Sequence, residues 1–144
     1  MPVEATEVIN ELVERLETTG LPVHYAYLDM IVSGRTVDYP FIAVAPESDS
    51  EMPQGNDKKV KIDRVVTVVA VIERVRGDTI IPMQQLDTVL KNVRLALSFD
   101  EYDKPSDMKA LKYTMGGAKF KLPDAGDEYV YFELDLTVTF METR

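Results

Sequence analysis

The sequence predicts an α+β domain in which a mixed, largely antiparallel sheet packs against two helices, in the order α-β-β-β-α-β-β. Three patterns carry this expectation. Apolar residues recur at spacings of three and four near the N-terminus and again after residue 82, the period of a helix with one buried stripe. From Tyr129 to Phe140 apolar and polar residues alternate strictly, the period of a strand with one buried face. Between them, Ile62 to Val75 is rich in valine at both alternating positions. At 144 residues with 45% hydrophobic side chains, the chain can bury its own core and reads as a single domain over 1–144.

The elements follow in order. Ala5, Val8, Ile9, Leu12 and Leu16 define the stripe of a helix over Val3–Thr18, with Glu4, Glu7, Glu11 and Glu14 on the opposite side and Gly20 just past its end. Val23, Tyr25, Tyr27, Ile31 and Val32 suggest a strand, closed by a Ser33-Gly34 turn, and a shorter strand follows Pro40 through Phe41–Val44. Residues 46–61 hold two prolines, a glycine and few apolar side chains, which predicts a long polar loop, mobile in a free subunit and ordered on assembly.

The strand Ile62–Val75, with room for a bend, ends in the turn Arg76-Gly77-Asp78. A helix over Pro82–Phe99 buries Met83, Leu86, Leu90, Val93 and Leu97, with Pro82 at its first position. Residues 99–128 read as a second loop-rich region: an acidic loop over Asp100–Asp107, a weak strand near Ala110–Tyr113 and a turn or joint at Gly116-Gly117.

Composition removes several chemistries. With no cysteine there is no disulfide, zinc–thiolate site or thiol nucleophile, which fits a cytoplasmic origin. His24 is the one histidine, so multi-histidine metal sites are excluded; a Ser–His–Asp triad would have to use it, and no nucleophile-elbow sequence accompanies it. A net charge of -9 opposes sequence-specific binding to nucleic-acid phosphates and to anionic membranes. No apolar run reaches the roughly 20 residues of a membrane-spanning helix, and residues 1–10 do not have the pattern of a signal peptide.

The remaining candidates are weak as chemistry. Asp49, Glu51 and Asp57, and separately Asp124, Asp127 and Glu128, could ligate a cation, but neither set has the alternate spacing of an EF-hand, and solvated loop acids are the simpler reading. Gly116-Gly117-Ala118-Lys119 lacks both the glycine spacing and the following Ser or Thr of a phosphate-binding loop. We therefore expect no catalytic, cofactor-binding or metal-binding residue and no cofactor.

Two features point to assembly. In the long valine strand Val66, Val68, Ala70 and Ile72 form one apolar side, and Val65, Val69 and Val71 share the other with Thr67. Two helices can cover one face of such a sheet but not both, so the first set is expected against the helices and Val65, Val69 and Val71 at a subunit interface. Lys58, Lys59, Lys61 and Arg64 form a basic cluster, read either as lysines guarding a strand edge or as a docking patch for an acidic partner.

An N-terminal amphipathic helix, the Pro-Phe-Ile-Ala-Val strand from Pro40, a polar stretch leading into a valine-rich strand, a second helix, and the closing Tyr-Phe-Glu-Leu-Asp-Leu-Thr-Val-Thr-Phe from Tyr131 follow one another over nearly the whole chain. In order and texture this resembles the tail terminator, or tail-completion, proteins of long-tailed bacteriophages. The resemblance implies a homo-oligomeric ring, usually of six subunits, that caps the tail tube, stops its polymerisation and presents a surface to head-completion or neck proteins. It further implies a place in the virion after assembly in the host cytoplasm, and partners that are the tail tube protein and a neck protein. It carries no catalytic motif to this chain. A head-completion connector of the same neck, and a small carboxylate-dependent enzyme, are the alternative classes.

Overall fold

The structure is a computed structural model, and it describes residues 4–28, 31, 39–53, 58–73, 80–98, 108–121 and 129–143. Helix α1 spans Ala5–Glu17, strand β1 Val23–Tyr25, β2 Phe41–Pro53, β3 Lys59–Glu73, helix α2 Ile80–Leu97, β4 Lys112–Lys121 and β5 Tyr129–Thr143. The order is the expected α-β-β-β-α-β-β. The five strands form one sheet, β1-β2-β3-β5-β4, in which β1 runs parallel to β2 and every other pair is antiparallel.

Both helices lie on one face of this sheet. Val8, Ile9, Leu12 and Leu16 of α1 and Leu86, Leu90, Val93 and Leu97 of α2 pack with Val66, Val68, Ala70 and Ile72 of β3 and with Val130, Phe132, Leu134, Leu136, Val138 and Phe140 of β5. The alternation of β5 thus buries its apolar side, as its sequence predicts, and β3 turns the predicted set toward the helices. One position of the α2 stripe differs. Pro82, four residues before Leu86, is buried, and Met83, three residues before it, is exposed.

The acidic stripe of α1 is more than a solvated face. The Glu7 carboxylate accepts from the Glu4 N–H at 3.3 Å at the start of the helix. Glu11 accepts from the backbone N–H groups of Lys109 and Ala110, at 2.7 and 3.0 Å, and so fastens the approach to β4 onto α1. One turn on, the Arg15 guanidinium reaches the Ala96 carbonyl at 3.5 Å and stacks over the Tyr113 ring, 5.9 Å from its centroid. Burial, followed by the nearby Glu11 carboxylate, raises the Tyr113 hydroxyl pKa, and Arg15 opposes them.

Several sequence expectations need correction. Residues 46–61 are not a long loop. β2 continues to Pro53 and β3 begins at Lys59, giving a hairpin arm whose two strands pair from Ser48–Val65 to Pro53–Val60. The irregularity expected in β3 lies in β2, where Glu47 is an extra residue between Pro46–Val66 and Ser48–Val65. Strand β1 stops at Tyr25 rather than Val32. Within the second loop-rich region strand β4 covers Lys112–Lys121, and Gly116-Gly117 is not a turn but a bulge in it, between Met115–Leu136 and Ala118–Leu134. A Cβ on Gly116 would lie 3.3 Å from that of Asp135, a tight contact that would push β4 and β5 apart by a few tenths of an ångström. The expected turns at Ser33-Gly34 and Arg76-Gly77-Asp78, the acidic loop Asp100–Asp107, and Asp57, Asp124, Asp127 and Glu128 lie outside the described residues.

Candidate functional site

Opposed residues of antiparallel strands share a face, so the register shows what the helix-free side of the sheet presents. At one end are Phe41 and Ala43 of β2, Val69 and Val71 of β3, and Tyr129 and Tyr131 of β5. This end is covered by the chain itself. Ala26, Leu28, Ile31 and Tyr39 pack onto Phe41, Ala43, Val69 and Val71 as a second, smaller core, and Tyr39 stacks on Tyr129 with centroids 6.3 Å apart. The expectation for Val65, Val69 and Val71 is corrected accordingly. Val71 has no exposed surface and Val69 only 7%, so neither has a side chain to offer a partner. Val65, beyond the reach of this cover, is half-buried and keeps surface.

Past Val69 the same face turns polar and, apart from buried Ala45, Thr67 and Thr139, keeps surface. Ser48, Ser50 and Met52 of β2 are exposed. Lys61, Asp63 and Val65 of β3 and Thr137 and Met141 of β5 are half-buried, and Thr114, Lys112 and Lys119 of β4 stand exposed at the far side. Polar contacts tie the strands together along this side of the sheet. Thr139 donates its hydroxyl to Asp63 at 2.6 Å, Thr67 donates to Glu47, and Lys121 pairs with Glu133 at 3.6 Å.

The arm carries the four residues of the predicted basic cluster, but it separates them. Lys59 and Lys61 lie on the helix-free side, Lys58 is in the turn, and Arg64 points to the opposite face. There its Nε and terminal nitrogen donate to the two carboxylate oxygens of Asp49, directly across the hairpin, at 2.7 and 2.8 Å. These hydrogen bonds are the main cause holding the Asp49 carboxyl below its usual pKa, with partial burial opposing them. The same bonds raise Arg64, helped by Tyr25. Nor is this a guarded edge: β3 is flanked along the arm by β2 on one side and β5 on the other. Asp49 is thereby a structural ion-pair partner.

No protein-family model matches the chain, and no curated protein matches it in sequence. Among the described residues no three His, Cys, Asp or Glu side chains come together in a way that could hold a metal ion, and no helix is long and apolar enough to cross a membrane. His24 lies on β1, its ring edge against Phe41 with centroids 5.8 Å apart, as an ordinary packed strand residue would. One open depression, about 300 Å³, lies between α2 and the sheet, lined by Pro40, Ile72, Gln84, Gln85, Thr88 and Val89. Those residues include no acid, base or nucleophile suited to catalysis.

Two structural features are not legible in the sequence: the arm and the full length of β4. Polar residues exposed on both sides leave no period to detect, although the prolines at 46 and 53 mark where the outer strand of the arm begins and ends.

Proposed function

We propose that this chain is a structural subunit rather than an enzyme, and that it acts as a tail terminator: a ring, of about six copies by the resemblance, that caps a phage tail tube and offers its other side to a neck protein. The observation that supports this reading best is the division of the sheet's helix-free face. One end is sealed by the chain's own residues, while the rest, extended by the hairpin arm, is left as an open surface several strands wide. A sheet of this kind has surface and strand edges available for neighbouring subunits and for a tube end. The order and texture of the elements add the family resemblance.

Native mass spectrometry and electron microscopy of the purified chain, alone and with polymerising tail tube protein, test the proposal. Closed rings, and tubes that stop growing with this protein at one end, are expected. A monomer that neither closes into rings nor binds tube ends would overturn it. Rings that bind a portal-side protein but leave tube growth unchanged would move the assignment to a head-completion connector.

A further inference from the structure

The two margins of the sheet, the length of β2 that extends beyond β1 and the outer side of β4, carry charges of opposite sign. β2 is partnered on its outer side by β1 only over Ile42, Ala43 and Val44. From Ala45 onward no strand lies along that side among the described residues. This length, Ala45–Pro53, where the Tyr27 hydroxyl donates to the Pro46 carbonyl at 3.0 Å, contains Glu47, Asp49 and Glu51 and no base. At the other margin β4 pairs only with β5, and it contains Lys112, Lys119 and Lys121 and no acid.

A single row of like charge is a common guard against edge-to-edge aggregation. Rows of opposite sign do something different. Two acidic edges repel, and so do two basic ones, which disfavours both symmetric pairings of like edges. One acidic edge and one basic edge attract. Strand direction permits their union: β2 and β5 run one way and β3 and β4 the other, so β4 of a second copy set beside β2 would extend the sheet antiparallel. The faces also constrain which charges can meet. Glu47 bonds to Thr67, on the helix-free side, and the three lysines lie on that side too. Asp49 and Glu51 point the other way, Asp49 already held by Arg64, and they contribute through the field of the edge.

We propose that copies of this chain join head to tail, the acidic β2 edge of one against the basic β4 edge of the next, with Glu47 opposed to the β4 lysines. Such a contact uses two different surfaces of each copy, so successive copies propagate, and they form a ring where the rotation closes. This deepens the tail-terminator reading and rests on it for the closed ring, but the choice of edges does not. It also accounts for the placement of Pro46 and Pro53, which limit the available ladder to the residues between them.

The test uses the full chain and two charge reversals, Glu47→Lys and the pair Lys112→Glu with Lys119→Glu, each checked for fold by circular dichroism. Each alone is expected to weaken self-association by about tenfold or more in light scattering. Mixed in equal amounts the two should associate again, because every interface in an alternating assembly then pairs opposite edges. Added salt should weaken the wild-type assembly. Wild-type rings that survive both reversals would overturn the edge assignment and leave the ring reading standing. A wild-type chain that stays monomeric at high concentration would overturn both. Symmetric dimers unaffected by the reversals would overturn the head-to-tail contact.

Discussion

Arg64 and Asp49 face each other across the hairpin arm, joined by two parallel hydrogen bonds of 2.7 and 2.8 Å. The pair sets a pH dependence. Asp49 has its carboxyl pKa lowered from 3.8 in the folded chain, first by the Arg64 hydrogen bonds. A depressed carboxylate binds fewer protons folded than unfolded, so its contribution is present above the unfolded pKa and fades as pH falls through the folded one. With the Asp49 side chain 38% exposed, solvent screening keeps the pair to about 1 kcal/mol or less. Asp49→Asn should therefore lower stability by no more than that at neutral pH. Its urea midpoint should converge on that of wild type in acid below the normal carboxylate range.

Glu11 is expected to matter more. Its carboxylate satisfies two backbone donors, at Lys109 and Ala110, and Ala110 is fully buried. Removing the acceptor leaves these amides without it, a change worth about 1–3 kcal/mol. Glu11→Ala should destabilise by that amount in denaturant titrations, whereas Glu14→Ala, on an exposed position of the same helix, should change stability by less than about 0.5 kcal/mol. Equal effects would show that the anchoring of β4 to α1 contributes nothing.

Gly20 offers a cleaner measurement. Its φ is 88°, and a Cβ placed there meets nothing within 4 Å. Any loss in Gly20→Ala is therefore conformational rather than steric. About 1–2 kcal/mol is expected, the cost of holding an L-residue in the left-handed region. Gly20→Asn should recover part of it.

What the sequence made legible follows from how each element is buried. Helix α1 and strand β5 each put one side into the core, so Leu12 and Leu16, or Phe132 and Leu134, recur with a period that can be counted. The arm has no such contrast. Residues Glu47 to Pro53 are exposed on both faces, and a strand without a buried side looks like a loop. β4 was obscured in the same way, by its position at the sheet margin and by the Gly116-Gly117 bulge that breaks its alternation. At the start of α2, positions three and four before Leu86 both lie near the buried stripe, so spacing alone does not choose between Pro82 and Met83.

The second core shows a different limit. The valine side occupied by Val69 and Val71 was recognised as needing cover, but its cover was expected from another subunit. It comes instead from Ala26, Leu28, Ile31 and Tyr39, distant in sequence and weakly patterned. Apolarity reveals that a surface must be buried; it does not reveal what buries it. For the candidate site, Val65 alone of the three predicted valines keeps surface, and the four basic residues divide between a face, a turn and an ion pair.

That division makes the three neighbouring valines a direct test of the face assignment. Val68 is fully buried beneath the helices, and Val69 lies almost as deep beneath the second core. An aspartate at either site would place an unpaired charge in a dry environment, at a cost of several kcal/mol against the roughly 5–15 kcal/mol that holds a domain of this size. Val68→Asp and Val69→Asp should both lose cooperative folding or yield little soluble protein. Val65 sits one step past the cover, where an aspartate can reach water, so Val65→Asp should keep its circular dichroism spectrum and lose about 1 kcal/mol or less. Thermal melts on the three variants decide the matter. If Val69→Asp melts like wild type, the second core does not seal that face and Val69 returns as an interface residue. If Val65→Asp unfolds, the cover extends further along β3 than Thr67, and the open surface begins nearer the tip of the arm.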